Sequence, residues 1–331
     1  MRSKEITETL ESLIDRKLPT FLWGAPGIGK SSVVKQIAEA KEIGFIDLRL
    51  SLMDPTDLKG IPFYENQAHQ AVWAPPSFLP TEGSGILFLD ELNTAAPSVQ
   101  ASAYQLILDR KVGEYELPEG WAIVAAGNRE NDRGVVYRMP LPLANRFIHL
   151  EMDVNVEDWR NWAYLHGIDE RIIGYISAKN DALFRFDPAS DAKSFPTPRS
   201  WEFVHGILAS NMNGRLAMNA IAGAVGEEYA VDFLAFAKVM KLLPDIDAVL
   251  RGEEQAVPED LNALYALSST LVSKVLNDPN DDVLERLLAY TQTLPPEFAV
   301  LTVQDLQKNG VVMDHLDAYG EWVSKFAYLL S

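Results

Sequence analysis

The chain has 331 residues, of which 47% are hydrophobic and 10% aromatic, so it is long enough for two domains with packed cores. Its formal net charge is −18 and it lacks a cluster of Lys and Arg, which disfavours a main role in gripping nucleic-acid phosphates and favours protein partners. The absence of cysteine excludes disulfides and thiolate metal sites. No apolar run is long enough to cross a membrane and the N-terminus begins a polar helix, so we expect a cytoplasmic protein.

The first part of the chain alternates helical and strand patterns, which predicts an α/β domain of three layers over residues 1–155. An amphipathic pattern predicts a first helix over residues 3–17. Short apolar runs predict strands at residues 20–23, 44–50, 86–91, 121–126 and 147–150, with helices at 31–38 and 97–110. Two hairpins are also predicted, one in an insert over residues 54–73, where Glu65-Asn66-Gln67 separates apolar stretches, and one over residues 111–118.

Helical patterns dominate the rest of the chain and predict a helical second domain over residues 156–331. A connector rich in Pro, Ser and Asp, residues 187–198, interrupts them. The stretch 258–331 carries no motif, and we interpret it as a helical extension or a surface that docks a partner. The predicted helices cover residues 156–166, 169–179, 198–210, 227–243, 258–277 and 281–293.

One glycine-rich stretch follows the first predicted strand and precedes a helix. It reads Gly24, Ala25, Pro26, Gly27, Ile28, Gly29, Lys30 and Ser31, with Ser32 next, and it fits the phosphate-binding loop pattern. Glycines let successive backbone N–H groups point at an anion, and the helix N-terminus adds partial positive charge. Lys30 would reach the β- and γ-phosphates of ATP, and the Ser31 hydroxyl would bind Mg²⁺. The alternative, an ordinary glycine turn, does not account for every fixed position being filled.

Two further polar sites follow buried strands. Asp90 and Glu91 end the third predicted strand, where the first carboxylate can hold Mg²⁺ and the second can polarise the water that attacks the γ-phosphate. Asn128 follows the fourth strand and can hold that water or a phosphate oxygen. Each pattern is also common at a strand end or a turn, and the phosphate loop is what favours the catalytic interpretation.

Together these pieces resemble the AAA+ ATPases, specifically the MoxR-like group of the helix-2-insert clade. The resemblance covers roughly residues 5–250 and includes Asn145-Arg146-Phe147 before the fifth strand. It implies a P-loop domain followed by a helical lid, with residues 54–73 as the clade's inserted hairpin. It also implies that Arg146 is an arginine finger reaching a neighbouring subunit and that Arg199 is the second sensor arginine at the start of a lid helix.

By the same resemblance the active form is a homo-oligomer, expected to be a hexameric ring, because an arginine supplied from the next subunit requires a head-to-tail assembly. Arg129, Arg133 and Arg138 add positive charge nearby, and Arg138 is the best candidate among them for a second interface arginine. For these three, a solvated or helix-capping role is an equal alternative.

The resemblance implies a chaperone-like ATPase that remodels or matures a protein partner, such as a protein with a von Willebrand factor A domain. The alternatives are a nucleic-acid motor, which the net charge of −18 disfavours, and a slow nucleotide-dependent scaffold, which Glu91 and Arg146 disfavour. The histidines are scattered without metal-ligand spacing, so we interpret them as ordinary surface or core residues. They are His69, His149, His166, His205 and His315.

Overall fold

The computed structural model describes residues 1–65, 69–129, 132, 137, 139–210 and 212–329. The chain divides into two compact units, the first formed by residues 1–154 and 187–190 and the second by residues 155–186 and 191–331. Among the described residues, no helix is both long enough and apolar enough to cross a membrane.

A parallel five-stranded sheet forms the centre of the first unit. Its strands lie in the order β2-β5-β8-β1-β9, and every pairing between neighbours is parallel. This sheet and the helical second unit confirm the predicted fold class. The strands are β1 (Thr20–Trp23), β2 (Gly44–Arg49), β3 (Ile61–Glu65), β4 (Gln70–Ala74), β5 (Gly85–Asp90), β6 (Lys111–Val112), β7 (Tyr115–Glu116), β8 (Trp121–Gly127) and β9 (Ile148–Glu151), of which β3–β4 and β6–β7 form separate antiparallel hairpins.

Helices cover this sheet because its central strands are apolar on both faces. On β5, Leu87 and Leu89 belong to one core cluster while Ile86 and Phe88, which alternate with them, are also fully buried. The first cluster includes Val99 and neighbouring residues of helix α4, and helices α1 and α2 pack against β8 and β5. The helices of this unit are α1 (Ser3–Asp15), α2 (Lys30–Ala40), α3 (Pro55–Lys59), α4 (Pro97–Asp109) and α5 (Leu141–Ala144).

The insert differs from the sequence prediction at its start. Residues 54–60 form the short helix α3 rather than part of a hairpin, because Asp54 caps the helix and Asp57 bonds back to the Asp54 backbone. Gly60 ends it with φ 84°, and the hairpin proper follows. Leu58 of α3 is fully buried, so it anchors the insert to the first unit.

The second unit is helical in its described part. The pattern over residues 227–243 predicted one helix, but the α-helix ends at Ala237 and a 3₁₀ helix follows over Lys238–Leu242. The helix expected from residue 258 begins at Leu261, where the Asp260 side chain accepts the Ala263 N–H. Its helices are α6 (Val156–Leu165), α7 (Glu170–Ala178), α8 (Pro198–Ala209), α9 (Gly214–Val225), α10 (Glu227–Ala237), α11 (Ile246–Arg251), α12 (Leu261–Asn277), α13 (Asp281–Thr291), α14 (Pro296–Lys308) and α15 (Asp317–Phe326).

Candidate functional site

The carboxyl ends of β1, β5 and β8 meet at one edge of the parallel sheet, because β8 lies between the other two strands. The phosphate-loop sequence leaves β1, the Asp90-Glu91 pair ends β5, and Asn128 follows β8. Ligands of open parallel sheets bind at this edge, where loops and helix N-termini converge. The topology therefore brings together side chains that are up to about a hundred residues apart in sequence.

The loop between β1 and α2 is closed around the side chain of Lys30. Gly29 is the N-cap of α2 and has φ 97°, a conformation that favours glycine. Lys30 is buried, with 9% of the residue exposed. Its ammonium donates to the carbonyl oxygens of Gly24 at 2.6 Å and Ala25 at 2.9 Å. It also donates to Asn128 Oδ1 at 3.2 Å. A buried ammonium at the start of α2 is a site for an anion, since a phosphate would bring full negative charge to it.

Ser31 and Asp90 lie side by side next to this lysine. The Ser31 hydroxyl donates to Asp90 Oδ2 at 3.4 Å. Burial raises the pKa of Asp90 above its usual value, although Lys30 opposes the rise. A hydroxyl and a carboxylate are the oxygen ligands that Mg²⁺ prefers, and a bound cation would favour the ionised carboxylate. The donor set thus fits the predicted metal.

Glu91 adopts an unusual backbone conformation and its side chain is engaged. Its φ is 57°, in the left-handed region that residues other than glycine seldom occupy. Its N–H is bonded to Asp90 Oδ1 at 2.9 Å, and its carboxylate accepts a short hydrogen bond from the hydroxyl of Ser51. Ser51 follows β2, on the side of β5 away from β8 and β1. The carboxylate is therefore drawn away from Lys30 and Asn128.

Asn93 holds the backbone of Asn128 in place through a side-chain hydrogen bond. The Asn93 side chain, almost fully buried, donates from Nδ2 to the carbonyl oxygen of Asn128 at 2.7 Å, and its own carbonyl accepts the Tyr137 N–H. The close approach requires Gly127, because a Cβ there would lie 2.1 Å from Asn93 Oδ1. No pattern in the sequence gave a role to Asn93 or to Ser51.

The arginine that follows Asn128 is held within its own unit. Arg129 Nε lies 3.1 Å from Glu151 Oε1, and its Nη2 donates to Asp153 and to the Met152 carbonyl. The hydrogen bond to Asp153 raises the pKa of Arg129. These contacts favour an intramolecular role for Arg129. Arg133 and Arg138 lie outside the described residues.

Arg146, the predicted arginine finger, and Arg199, the predicted second sensor arginine, are both exposed. Arg146 lies in the turn between α5 and β9, and it makes no side-chain ion pair with the residues that the structure describes. Arg199 lies in the first turn of α8 in the second unit, after the N-cap Thr197. The roles of all these site residues stay predictions. No group of three or more His, Asp or Glu side chains in the described ranges could hold a metal ion by itself.

Residues 20–149 match the model of the ATPase family associated with various cellular activities (AAA). The chain is 25% identical to the protein MoxR of Methylorubrum extorquens over 223 residues. This match covers 64% of the chain and 56% of MoxR, so it spans little more than half of that relative. Among solved structures, it is similar to the RuvB Holliday junction branch migration motor of Thermotoga maritima, with 18% identity, coverage of 85% and 86%, and a TM-score of 0.40. It is also similar to NtrX of Brucella abortus in complex with ADP, with 12% identity, coverage of 98% and 68%, and a TM-score of 0.42. At these scores the two structural likenesses carry no argument about function.

Proposed function

We propose that this chain, which resembles the MoxR-like AAA+ ATPases, hydrolyses ATP within a ring of identical subunits and uses the reaction to remodel a protein partner. The observation that carries the proposal is the meeting of Lys30, Asp90 and Asn128 at one edge of the sheet. A buried cation, a carboxylate for a metal and an amide for a phosphate or water are the parts that phosphoryl transfer requires.

ATP binding begins at the phosphate loop. The ammonium of Lys30 turns from the carbonyl oxygens of Gly24 and Ala25 to the β- and γ-phosphates, which carry full negative charge. Ser31 and Asp90 would hold Mg²⁺, which would supply positive charge against the charge that develops on the phosphate oxygens.

Hydrolysis requires Glu91 to leave Ser51. Once its carboxylate is released, Glu91 can accept a proton from the attacking water. Asn128, whose backbone carbonyl accepts a hydrogen bond from the Asn93 side chain, orients that water or a γ-phosphate oxygen. Ser51 holds the Glu91 carboxylate away from the water in the resting subunit. The approach of a neighbouring subunit or partner favours the conformation in which Glu91 is released.

The exposed Arg146 completes the site of the next subunit. Its guanidinium, exposed in the turn before β9, would reach the γ-phosphate of a neighbour and stabilise the spread charge of the transition state. A head-to-tail arrangement of this kind closes into a ring, for which we propose six subunits. Arg199 would act as the second sensor arginine of the lid.

The partner is proposed to be a protein. Ile61, Phe63 and Tyr64 on the inserted hairpin are 68%, 50% and 60% exposed, and the insert contributes only one cation, Lys59. An apolar, weakly charged surface suits a protein better than a phosphate backbone. A protein with a von Willebrand factor A domain is the adaptor that the family resemblance implies.

The test uses Glu91→Gln and Arg146→Ala, with Lys30→Ala as the control for binding. Lys30→Ala should lose most ATP affinity, measured with a fluorescent ATP analogue, because the phosphates lose their counter-charge. Glu91→Gln should bind normally and turn over at least ~100-fold more slowly. Arg146→Ala should also bind normally and lose roughly 10³-fold in turnover.

Mixing the two variants then tests the ring. Some interfaces of a mixed ring pair an intact Glu91 with an intact Arg146 from the neighbour, so activity should return in part, measured as phosphate release. Native mass spectrometry confirms that the variants assemble together. A mixed assembly without any recovery would mean that Arg146 does not act across the interface.

A further inference from the structure

An aromatic cluster lies where β1 and β9 pair, and it has no place in the chemistry described so far. Phe21 lies 4.2 Å from Trp23 and 5.5 Å from Phe147, measured between ring centroids. The imidazole of His149 stacks on Trp23 at 5.9 Å with 23° between the planes. Phe21 and Phe147 are buried, Trp23 is half-buried and His149 is exposed. His149 is therefore the accessible end of a rigid aromatic group.

The hydrogen bonds of His149 fix one protonation state. Trp23 Nε1 donates to His149 Nδ1 at 2.9 Å, and His149 Nε2 lies 2.8 Å from the carbonyl oxygen of Ala144. An indole nitrogen can only donate and a carbonyl oxygen can only accept. His149 Nδ1 must consequently be bare and Nε2 must carry the hydrogen, so the ring is neutral and bridges its two partners in one tautomer.

The carbonyl oxygen of Ala144 also closes the turn that presents Arg146. It accepts the Phe147 N–H at 3.2 Å, which places Asn145 and Arg146 at the two corners of a four-residue turn. Helix α5, which precedes this turn, has only four residues, so it gives the turn little rigidity of its own. His149 thus holds a carbonyl that closes this turn, while the Leu143 carbonyl accepts the Arg146 N–H at 2.9 Å.

The other end of the bridge lies at the nucleotide site. Trp23 is the last residue of β1, and Gly24, which follows it, provides a carbonyl oxygen to the Lys30 ammonium. When phosphates take over the ammonium, the carbonyl oxygens of Gly24 and Ala25 lose their hydrogen bonds to Lys30. Trp23 directly precedes these two residues, and its indole is bonded to His149.

We propose that His149 is a positioning residue that links the phosphate loop of its own subunit to the arginine that serves the neighbouring subunit. The path runs from Trp23 through the imidazole to the Ala144 carbonyl and the Arg146 turn. The inference rests on the proposed role of Arg146 across the interface. It gives the ring a means for one subunit's nucleotide state to change hydrolysis in the next.

Three substitutions separate the two ends of the bridge. His149→Asn places an oxygen near Nδ1 and can keep the Trp23 bond, whereas His149→Gln places an amide N–H near Nε2 and can keep the Ala144 bond. His149→Phe keeps the stacking and loses both bonds. We expect kcat to fall about tenfold in the Phe variant, the scale of one or two hydrogen bonds, with KM for ATP unchanged. Because the link needs both ends, Asn and Gln should each be impaired.

A matched control is available in the second unit. His166 stacks on Trp162 at 4.5 Å and 24°, and its Nδ1 lies 2.8 Å from the Trp162 carbonyl oxygen, but it has no part in the proposed path. His166→Phe should keep wild-type kcat. Melting temperatures of all variants show whether a loss of activity is a loss of fold, and the Asn and Gln variants keep the test valid if His149→Phe fails to fold.

Mixed rings decide the direction in which His149 acts. In a mixture of His149→Phe with Glu91→Gln, the Glu91→Gln subunit supplies an intact arginine to an intact Glu91 site, so activity should return. In a mixture of His149→Phe with Arg146→Ala, both subunits are impaired on the arginine side, so activity should stay low. Recovery in that second mixture would overturn the proposal, because it would mean that His149 acts on its own site.

The mixture of Glu91→Gln with Arg146→Ala tests the proposed function separately. If that mixture recovers while His149→Phe with Arg146→Ala also recovers, only the role of His149 is wrong. If it assembles and stays inactive, the arginine does not act in trans and the link to a neighbour fails with it. Normal kcat in all three His149 variants would also overturn the proposal.

Discussion

Among single residues, Ser51 gives the sharpest test of whether Glu91 is restrained before hydrolysis. Its hydroxyl draws the Glu91 carboxylate toward β2, on the side of β5 opposite the phosphate loop. A hydrogen bond to a charged group contributes about 1.5–3 kcal/mol, enough to keep most molecules in one orientation. Ser51→Ala should therefore raise ATPase activity several-fold in the absence of a partner, measured as steady-state phosphate release.

The control for this prediction is Ser12→Ala. Ser12 is an exposed serine on α1 whose hydroxyl donates to the Glu8 carbonyl of its own helix, so its loss should leave activity unchanged. If Ser51→Ala instead slowed turnover to the level of Glu91→Gln, Ser51 would be placing the base for catalysis rather than restraining it.

The candidate residues that the sequence singles out and those it does not differ in how local their signal is. Lys30 and Ser31 belong to one eight-residue loop pattern, and Asp90 ends an apolar strand, so pattern alone makes them candidates. Ser51 and His149 bond to partners 40 and 126 residues away, Glu91 and Trp23, and no local pattern marks such a pair. Only strand order and register bring these partners together.

Among whole elements, helix α14 is joined to helix α6 by a buried ion pair that the sequence pattern did not predict. Arg160 of α6 and Asp305 of α14 form an ion pair in which Nη2 donates to Oδ1 at 2.8 Å and Nε lies 2.8 Å from Oδ2. The side chains are 13% and 2% exposed. Burial raises the pKa of Asp305 although Arg160 opposes the rise, so desolvation exceeds the attraction. Such a pair adds little stability as a whole but is costly to break.

Arg160→Met should therefore destabilise the protein by about 3–5 kcal/mol, since it leaves a buried carboxylate without its cation. The double variant Arg160→Met with Asp305→Leu should recover most of that loss, measured as the shift in the urea unfolding midpoint. Asp247→Ala is the matched control. It breaks the exposed Lys274–Asp247 pair between α12 and α11 and should cost less than about 1 kcal/mol. A double variant no more stable than Arg160→Met would contradict this account.

Element types were easier to predict than element ends. The parallel strands read as apolar runs because both faces are buried, and all five were found close to their observed positions. Helix α3 was missed because Asp54 and Asp57 form a capping box within a stretch that otherwise reads as strand. The helix predicted to reach Leu243 changes to 3₁₀ geometry at Lys238, and periodicity cannot distinguish these two forms over one turn.

Considered as a whole, the molecule combines a strongly acidic composition with an exposed apolar hairpin. The net charge of −18 opposes approach to phosphate backbones, and Asp54, Asp57 and Glu65 add negative charge within the insert itself. The sequence could predict the parallel-sheet domain because its parts recur in fixed patterns. It could not identify the partner, because recognition depends on a surface whose shape no short pattern encodes.

The hairpin gives the last prediction. Phe63 and Tyr64 are exposed on β3, while Leu58 is buried beneath the insert and Trp73 is half-buried, so the two exposed rings contribute little to holding the insert in place. Phe63→Ala with Tyr64→Ala should leave assembly and basal ATPase largely intact and abolish the response of ATPase to the protein partner. Tyr328→Ala, which removes a ring 66% exposed elsewhere on the chain, is the control.

The same assay with DNA separates the two classes of function. At ~150 mM salt, where weak electrostatic binding is much reduced, neither single- nor double-stranded DNA should stimulate the ATPase. Base stacking on Phe63 and Tyr64 would lack the cationic groove that usually accompanies it, since Lys59 is the one Lys or Arg in the insert sequence. A several-fold stimulation by DNA that disappeared in the double variant would replace protein remodelling with a nucleic-acid motor, because the same two rings would then be binding bases.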